Sequence, residues 1–264
     1  MSKVITIVQA RMSSSRLPGK VMKSIIDQPI LKLQLERMSF SKRCGQIVVA
    51  TSLNQSDDII EKFCLENQIE VFRGDENDLL DRHYQCARKY EAEIVAKIPS
   101  DCPLIDARIM DKVFEFFFDH NYDFVSNLHP ATYPDGNDVE IFTIEALEKA
   151  NKGAKKSLER EHTTPYFWEN PQLFSIGNVS WERHLDYSMS HRFTLDYIED
   201  FHFIARVYEE LYHKNKNFSL DEILNLLENK PDIYLINSGY AGVNWYRNHL
   251  DELSTITAHQ TKKI

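Results

Sequence analysis

Three cations lie close together near the start of the chain, in Gln9-Ala10-Arg11-Met12-Ser13-Ser14-Ser15-Arg16-Leu17-Pro18-Gly19-Lys20. Small residues between Arg11, Arg16 and Lys20 let backbone N–H groups, such as those of Ala10, Ser13 and Ser14, approach a ligand. Exposed amides beside fixed cations suit a triphosphate. Arginine forks hydrogen bonds onto phosphate oxygens, and lysine supplies a compact charge. The segment is neither GxxxxGK[ST] nor GxGxxG, and its plain alternative is a solvated basic loop. Two aspartates stand farther on, Asp101 in Ser100-Asp101-Cys102-Pro103-Leu104 and Asp196 in Thr194-Leu195-Asp196. Magnesium takes oxygen ligands, usually one or two carboxylates with waters and phosphate oxygens. Two aspartates from distant parts of the chain can supply that, but each taken alone reads first as a helix cap.

These residues need elements to position them. Val4–Val8 is a short β-branched run ending at Gln9, where the basic loop begins, and it reads as a buried strand. Helical spacing follows over Ile30–Met38, Asp57–Glu66 (with Ser56 or Asp57 as cap), Asn77–Tyr90 and Ile105–Phe118. Strand runs alternate with these at Gln46–Ala50, Glu70–Phe72, Ile94–Ile98 and Phe124–Val125. Such alternation predicts an α/β fold with a mostly parallel, doubly wound sheet. Ligands of such sheets lie outside the C-terminal strand ends, which selects the loops 9–20 and 99–104. Pro134-Asp135-Gly136 marks a turn within Tyr133–Phe142, read as a hairpin or excursion from the sheet. Leu158–Trp168, Ile198–Tyr212 and Leu220–Leu227 read as helices, with Pro231 breaking the chain after the last. The whole of 1–264 is expected as a single domain, with a lid-like excursion over about 130–180 and a frayed tail over 256–264.

Composition narrows the function. Hydrophobic residues at 42% and charged residues at 27% describe a globular chain. A formal net charge of −9 makes a general nucleic-acid binder a poor expectation and favours a small-molecule partner. Cys44, Cys64, Cys86 and Cys102 contain no CxxC pair and read as reduced thiols. No apolar stretch approaches the roughly 18 residues of a membrane span, and the N-terminus does not resemble a signal peptide. The expectation is a cytoplasmic protein.

The loop 9–20 resembles the signature loop of the cytidylyltransferases that activate ulosonic acids, CMP-Kdo synthetase and acylneuraminate cytidylyltransferase. Its form is most similar to the spore-coat polysaccharide biosynthesis branch. The resemblance continues through Val48–Ser52, Val71–Ala87, Ser100–Asp106, Tyr133–Phe142, Arg160–Tyr166 and Thr194–Phe201, covering roughly 3–212. It implies a nucleotide-diphospho-sugar transferase fold of the GT-A-like kind, CTP as substrate, and Mg2+ on Asp101 and Asp196. It further implies that Arg82 faces the nucleotide. Arg73, just after the third strand, is an additional base-side candidate. Related enzymes are commonly dimers, so a homodimer is one implied assembly.

The nucleotide side is thus expected to comprise Gln9, Ala10, Arg11, Ser13, Ser14, Arg16, Lys20, Arg73, Arg82 and Asp101, with Arg16, Lys20, Asp101 and Asp196 acting in catalysis. By the same resemblance Asp135, Asp138, Glu140, Arg160, Glu161 and His162 line the acceptor side. Arg160 would grip an acceptor carboxylate or phosphate bidentately, and the carboxylates would suit hydroxyls or an amine. His162 is a candidate base, although a helical histidine is more often structural. The expected reaction is in-line attack by an anionic, sugar-like acceptor on the α-phosphorus of CTP, releasing pyrophosphate for surface polysaccharide or glycoconjugate synthesis. A glycosyltransferase using a nucleotide sugar is the competing enzyme class, disfavoured by the lack of a DxD motif. A non-catalytic nucleotide-binding subunit is the competing non-enzyme.

Overall fold

The first apolar run forms β1 (Val4–Gln9) in the computed structural model, which describes residues 2–263. A small hairpin, β2 (Ser24–Ile25) and β3 (Gln28–Pro29), leads into α1 (Ile30–Met38). The alternation continues through β4 (Gln46–Ser52), α2 (Asp58–Glu66), β5 (Glu70–Gly74), α3 (Leu79–Lys89), β6 (Ile94–Pro99) and α4 (Ala107–Asp119). Next come β7 (Phe124–Ser126), β8 (Glu140–Thr143), α5 (Ile144–Gly153), α6 (Ser157–His162), α7 (Pro165–Trp168) and β9 (Ile176–Asn178). The chain ends with α8 (Ile198–Leu211), α9 (Leu220–Asn229), α10 (Pro231–Leu235) and short turns.

Seven strands form one sheet in the order β5-β4-β1-β6-β8-β7-β9. The four strands from β5 to β6 are parallel, whereas β8 runs antiparallel to both β6 and β7. Period-two alternation divides the strands between two cores. Val8, Val49, Ile98, Val125 and Ile141 pack with α1, α2 and α4. Ile5, Ile7, Val48, Val95 and Phe142 pack with α3, α5 and α7 on the other face. A third cluster joins Ile30 and Leu33 of α1, Leu104 and Leu195 to α8, α9 and α10. That helical layer backs the two segments carrying Asp101 and Asp196.

The topology gathers loops at one edge. Gln9 and Pro99 are register partners at the ends of β1 and β6. Because β8 is antiparallel to β6, its first residue, Glu140, lies opposite Lys97 near the same edge. The segment 130–180 therefore does not simply leave the sheet: β8 and β9 belong to it. Thr163, with φ of 70°, divides the single helix expected over Leu158–Trp168 into α6 and α7. The tail after Ile256, expected to fray, is pinned through residue 262: Ile256 is 6% exposed, and Lys262 N–H donates to Gly242 O at 2.7 Å. The last residue of that expected tail, Ile264, lies outside the described residues.

Arg37 ties the helical layer to the sheet edge. It is 1% exposed, and donates to Ile105 O at 3.0 Å, Leu104 O at 3.2 Å and Phe218 O at 2.9 Å. Its guanidinium lies 3.9 Å from the Phe218 ring centroid. Removing it orphans buried carbonyls, each costly to leave unpaired. Arg37→Leu is therefore expected to lower unfolding free energy by about 3 kcal/mol or more in denaturant titration. A loss below about 1 kcal/mol would show that water or other donors satisfy those carbonyls.

Candidate active site

The basic loop after β1 is closed by its own backbone and braced by a buried carboxylate. Met12 O accepts from Ser14 N at 2.9 Å and Gly19 N at 3.0 Å. Gly19 has φ of 68°, a left-handed conformation that glycine adopts without strain, and this turn presents Lys20. Asp57, expected as a cap for α2, instead reaches Met12 N at 2.7 Å and Ser52 Oγ at 2.5 Å. The loop is thereby locked to the end of β4.

Lys20 meets both chemistry-bearing aspartates. Its Nζ lies 3.4 Å from Asp101 Oδ2 and 3.0 Å from Asp196 Oδ1, and donates to Leu195 O at 2.6 Å. Arg16 adds a 2.7 Å ion pair to the same Asp196 oxygen. Burial would lower the Lys20 pKa, but Asp101 and Asp196 outweigh it and raise it. Burial would raise the Asp196 carboxyl, but Lys20 and Arg16 hold it well below the usual carboxylate range. Neither aspartate caps a helix. Asp106 caps α4 through Arg108 N, and Asp200 receives Asp196 N and Tyr197 N at the start of α8. Leu195 N donates to Asp101 O at 2.8 Å, so backbone bonding sets the two segments side by side.

A cleft of about 380 Å³ opens over these groups. Its floor continues into Asp135, Asp138 and Glu140. Asn127 clamps the loop carrying Asp138, donating to Asn137 O at 2.7 Å and accepting from Val139 N at 3.0 Å. Glu140 pairs with buried Lys97 across the β6–β8 ladder. Fully buried Arg192 meets Asp200 at 2.9 Å, Asp135 at 3.3 Å and Asp196 at 3.4 Å. Burial, then Asp138, raises the Asp135 carboxyl well above its ordinary value even though its side chain remains 23% accessible through the cleft. Burial, then Asp101 and Glu140, pushes Asp138 up to about 7.

The opposite wall is aromatic. His162 stacks on Trp245 with ring centroids 3.8 Å apart, and His129 lies against Trp168 at 4.4 Å. Burial, then Lys97, pushes His162 down to about 3, so at neutral pH the ring is uncharged and a weak base.

With this geometry described, comparison with known proteins places the chain. The family model described as cytidylyltransferase matches residues 5–236. The chain belongs to the cytidylyltransferase family. It is 37% identical over 238 residues to an uncharacterized protein of Methanocaldococcus jannaschii, covering 89% of this chain and 95% of that one. It is 28% identical over 242 residues to the spore coat polysaccharide biosynthesis protein SpsF of Bacillus subtilis, covering 88% and 97%. A solved cytidylyltransferase from Leptospira borgpetersenii serovar Hardjo-bovis superposes with a TM-score of 0.83 at 34% identity, covering 89% of this chain and 97% of that one. The fold is the GT-A-like one of the nucleotide-diphospho-sugar transferases, and the protein is a nucleotidyltransferase by family.

In this cytidylyltransferase the cleft brings together Gln9, Ala10, Arg11, Ser14, Arg16, Lys20, Arg82 and Asp101 from the expected nucleotide side. It also gathers Asp135, Asp138, Glu140, Glu161, His162 and Asp196. Three expected residues lie elsewhere. Ser13 donates to Glu76 at 3.0 Å. Arg73 is tied to Asp58 at 2.7 Å and Glu61 at 2.9 Å on α2. Arg160 grips Asp78 with two nitrogens and Asn151 O at 2.7 Å, bracing the start of α3 rather than an acceptor anion. Arg82 borders the cleft but donates to Asp75 O at 2.8 Å and Glu76 O at 2.9 Å. The cleft also contains Lys97, His129, Trp168, Val243–Tyr246, Asn248 and His249, which the sequence motifs do not mark; of these only Lys97 carries a signal, as a charge inside an apolar strand run.

Arg160 is thus a structural residue in a partly exposed pair, where solvent screens the charge. Arg160→Ala is expected to reduce unfolding free energy by about 1–2 kcal/mol while leaving the KM for the acceptor within about twofold. A tenfold rise in acceptor KM with unchanged melting would return Arg160 to the substrate.

Proposed function

We propose that this cytidylyltransferase transfers CMP from CTP to a hydroxyl of a small sugar-like acceptor, with magnesium, releasing pyrophosphate for surface polysaccharide or glycoconjugate synthesis. The observation that carries this reading is the lysine between two aspartates: Lys20 Nζ is 3.4 Å from Asp101 Oδ2 and 3.0 Å from Asp196 Oδ1. Two carboxylates that converge on one cation are hard oxygen donors suited to magnesium. Among the described residues no group of three or more His, Cys, Asp or Glu could hold a metal by itself. The pair fits magnesium on condition that phosphate oxygens and waters complete the shell. When bound, the ion supplies polarisation of phosphate oxygens and neutralisation of their charge.

The chain's own residues do the rest. Arg11 lines the cleft without an ion pair among the described residues, so it is free to meet a phosphate. As a triphosphate enters, Arg16 and Lys20 exchange carboxylate oxygens for phosphate oxygens. They then offset charge that builds on the departing pyrophosphate as an acceptor oxygen attacks the α-phosphorus. Similarity to a protein of spore coat polysaccharide biosynthesis supports the sugar-like acceptor and the pathway class. Among the described residues no helix is long and apolar enough to cross a membrane.

The test combines calorimetry with pyrophosphate release. CTP is expected to bind more tightly than UTP, and chelation of magnesium to weaken it. Lys20→Ala should cost on the order of 1.5–3 kcal/mol of CTP affinity, the value of a charge-assisted hydrogen bond. Asp101→Asn and Asp196→Asn should nearly abolish turnover while the protein stays folded. Equal binding of all triphosphates, indifferent to magnesium, would sink this reading.

A further inference from the structure

Met12 is the node of the basic loop. Its O accepts from Ser14 N and Gly19 N, and a Cβ placed on Gly19 would meet Met12 Cε at 3.1 Å. Arg11 directly precedes this node, and Gly19 hands the chain on to Lys20. Whatever fixes Met12 therefore fixes the backbone that carries both cations.

The fixing group is Asp57. Its Oδ1 accepts from Met12 N at 2.7 Å, while its Oδ2 accepts from Ser52 N at 3.2 Å and Ser52 Oγ at 2.5 Å. One oxygen thus serves the loop and the other the end of β4. These three bonds are all that the side chain makes among the described residues, and none of them caps α2. Asp57 is fully buried. A buried carboxylate is costly unless its oxygens are hydrogen-bonded, and a cap at the head of α2 would have satisfied them locally. Here they reach a loop 45 residues earlier in the chain.

The loop's other side-chain ties differ in kind. Lys20 and Arg16 rest on Asp101 and Asp196, and these contacts must be given up when the two cations turn to phosphate oxygens. The Ser13 bond to Glu76 is solvent-exposed. The Asp57 bond to Met12 is buried at its acceptor and involves neither cation, so a triphosphate can enter without breaking it.

We propose that Asp57 is a positioning residue for the triphosphate: acting through Met12, it holds the basic loop in its binding form while Lys20 and Arg16 exchange their carboxylates for phosphates. The role rests on the nucleotidyl-transfer reading. A loop ordered beforehand spares the ligand the cost of ordering it.

The test titrates CTP, inorganic tripolyphosphate and CMP calorimetrically in magnesium buffer. Asp57→Ala is expected to weaken CTP and tripolyphosphate by about tenfold and CMP, which lacks the β- and γ-phosphates, by less than about threefold. Asp57→Asn, whose amide oxygen can still accept from Met12 N, should restore both triphosphates to within about threefold of the parent. Ser52→Ala, which disturbs only the β4 side, should lower the melting temperature and leave tripolyphosphate binding as in the parent. Amide exchange in the parent needs no variant: Met12 N–H is expected to be protected before any ligand is added and to stay protected with tripolyphosphate. Unchanged triphosphate binding in Asp57→Ala, no recovery in Asp57→Asn, equal weakening of CMP, an equal loss in Ser52→Ala, or a rapidly exchanging Met12 amide in the free protein overturns the proposal. If the parent binds neither CTP nor tripolyphosphate, the nucleotidyl-transfer reading falls and this role falls with it; if the parent and Asp57→Ala bind both equally well, this role alone falls.

Discussion

The contact between Lys20 and the two aspartates Asp101 and Asp196 is the constraint around which the rest is arranged. A largely buried ammonium needs compensating charge, because desolvation otherwise outweighs what the fold gains. The three residues come from three distant segments: the loop after β1, the loop after β6 and the lead into α8. The pairing therefore requires a sheet in which β1 and β6 are neighbours and a helical layer that returns the late segment to their C-terminal ends. Arg192 extends the same pattern, linking Asp196 to Asp135 and Asp200 from a fully buried position. Alternating charges thus run along the cleft floor from Lys20 and Arg16 through Asp196 and Arg192 to Asp135.

That arrangement has a consequence for chemistry. The cations suited to phosphates rest on the carboxylates suited to a metal. A metal-bound triphosphate brings both missing partners at once, so charge pairing can be exchanged rather than lost. Either component alone would strip one set of charges of its partners and replace only the other. Backbone bonds keep the framework fixed during such an exchange: Leu195 N to Asp101 O at 2.8 Å, and Phe193 N to Asp135 O at 2.7 Å. The carboxylates are held through their main chain, while Lys20 and Arg16 reach them through flexible stems.

What could be read in the sequence follows the same physics. β-branched runs gave β1, β4 and β6, and helical periodicity gave α1 with its observed ends, because burial on a sheet imposes those patterns locally. The C-terminal edge rule located the loops carrying Lys20 and Asp101. Asp57, Asp101 and Asp196 show the limit: each could cap a helix by position, and tertiary bonding draws all three side chains elsewhere. Asp57 was expected to cap and instead braces the basic loop. Arg160 and Arg73 were misplaced for a related reason. A long side chain near a motif can turn either toward the ligand or toward a local carboxylate, and Asp78 and Asp58 took them. β8 was hidden because four residues after an irregular loop show too little alternation to fix a partner or a direction. The strap at 243–249 has no regular period at all, so its place in the cleft wall was invisible until the chain was folded.

On the proposed reading, the strap lets one cleft serve two substrates with separate demands. The half proposed for the nucleotide is made by strand ends and by loops locked to them, including Arg11 at the mouth of β1. The opposing wall is made by a late segment held through Val243 O, the Asn244–Gln260 contact and aromatic packing on α6 and α7. Its main polar tie to the floor is to Arg192, whose other bonds are all to carboxylates already present. Changes in the side chains of Trp245, Tyr246 or Asn248 therefore alter the wall without disturbing the Lys20 pairing. Triphosphate chemistry can stay constant in such an arrangement while acceptor choice varies. In the proposed nucleotidyl transfer, acceptor discrimination would rest on side chains carried by irregular backbone, and the phosphate and metal positions on loops fixed to the sheet.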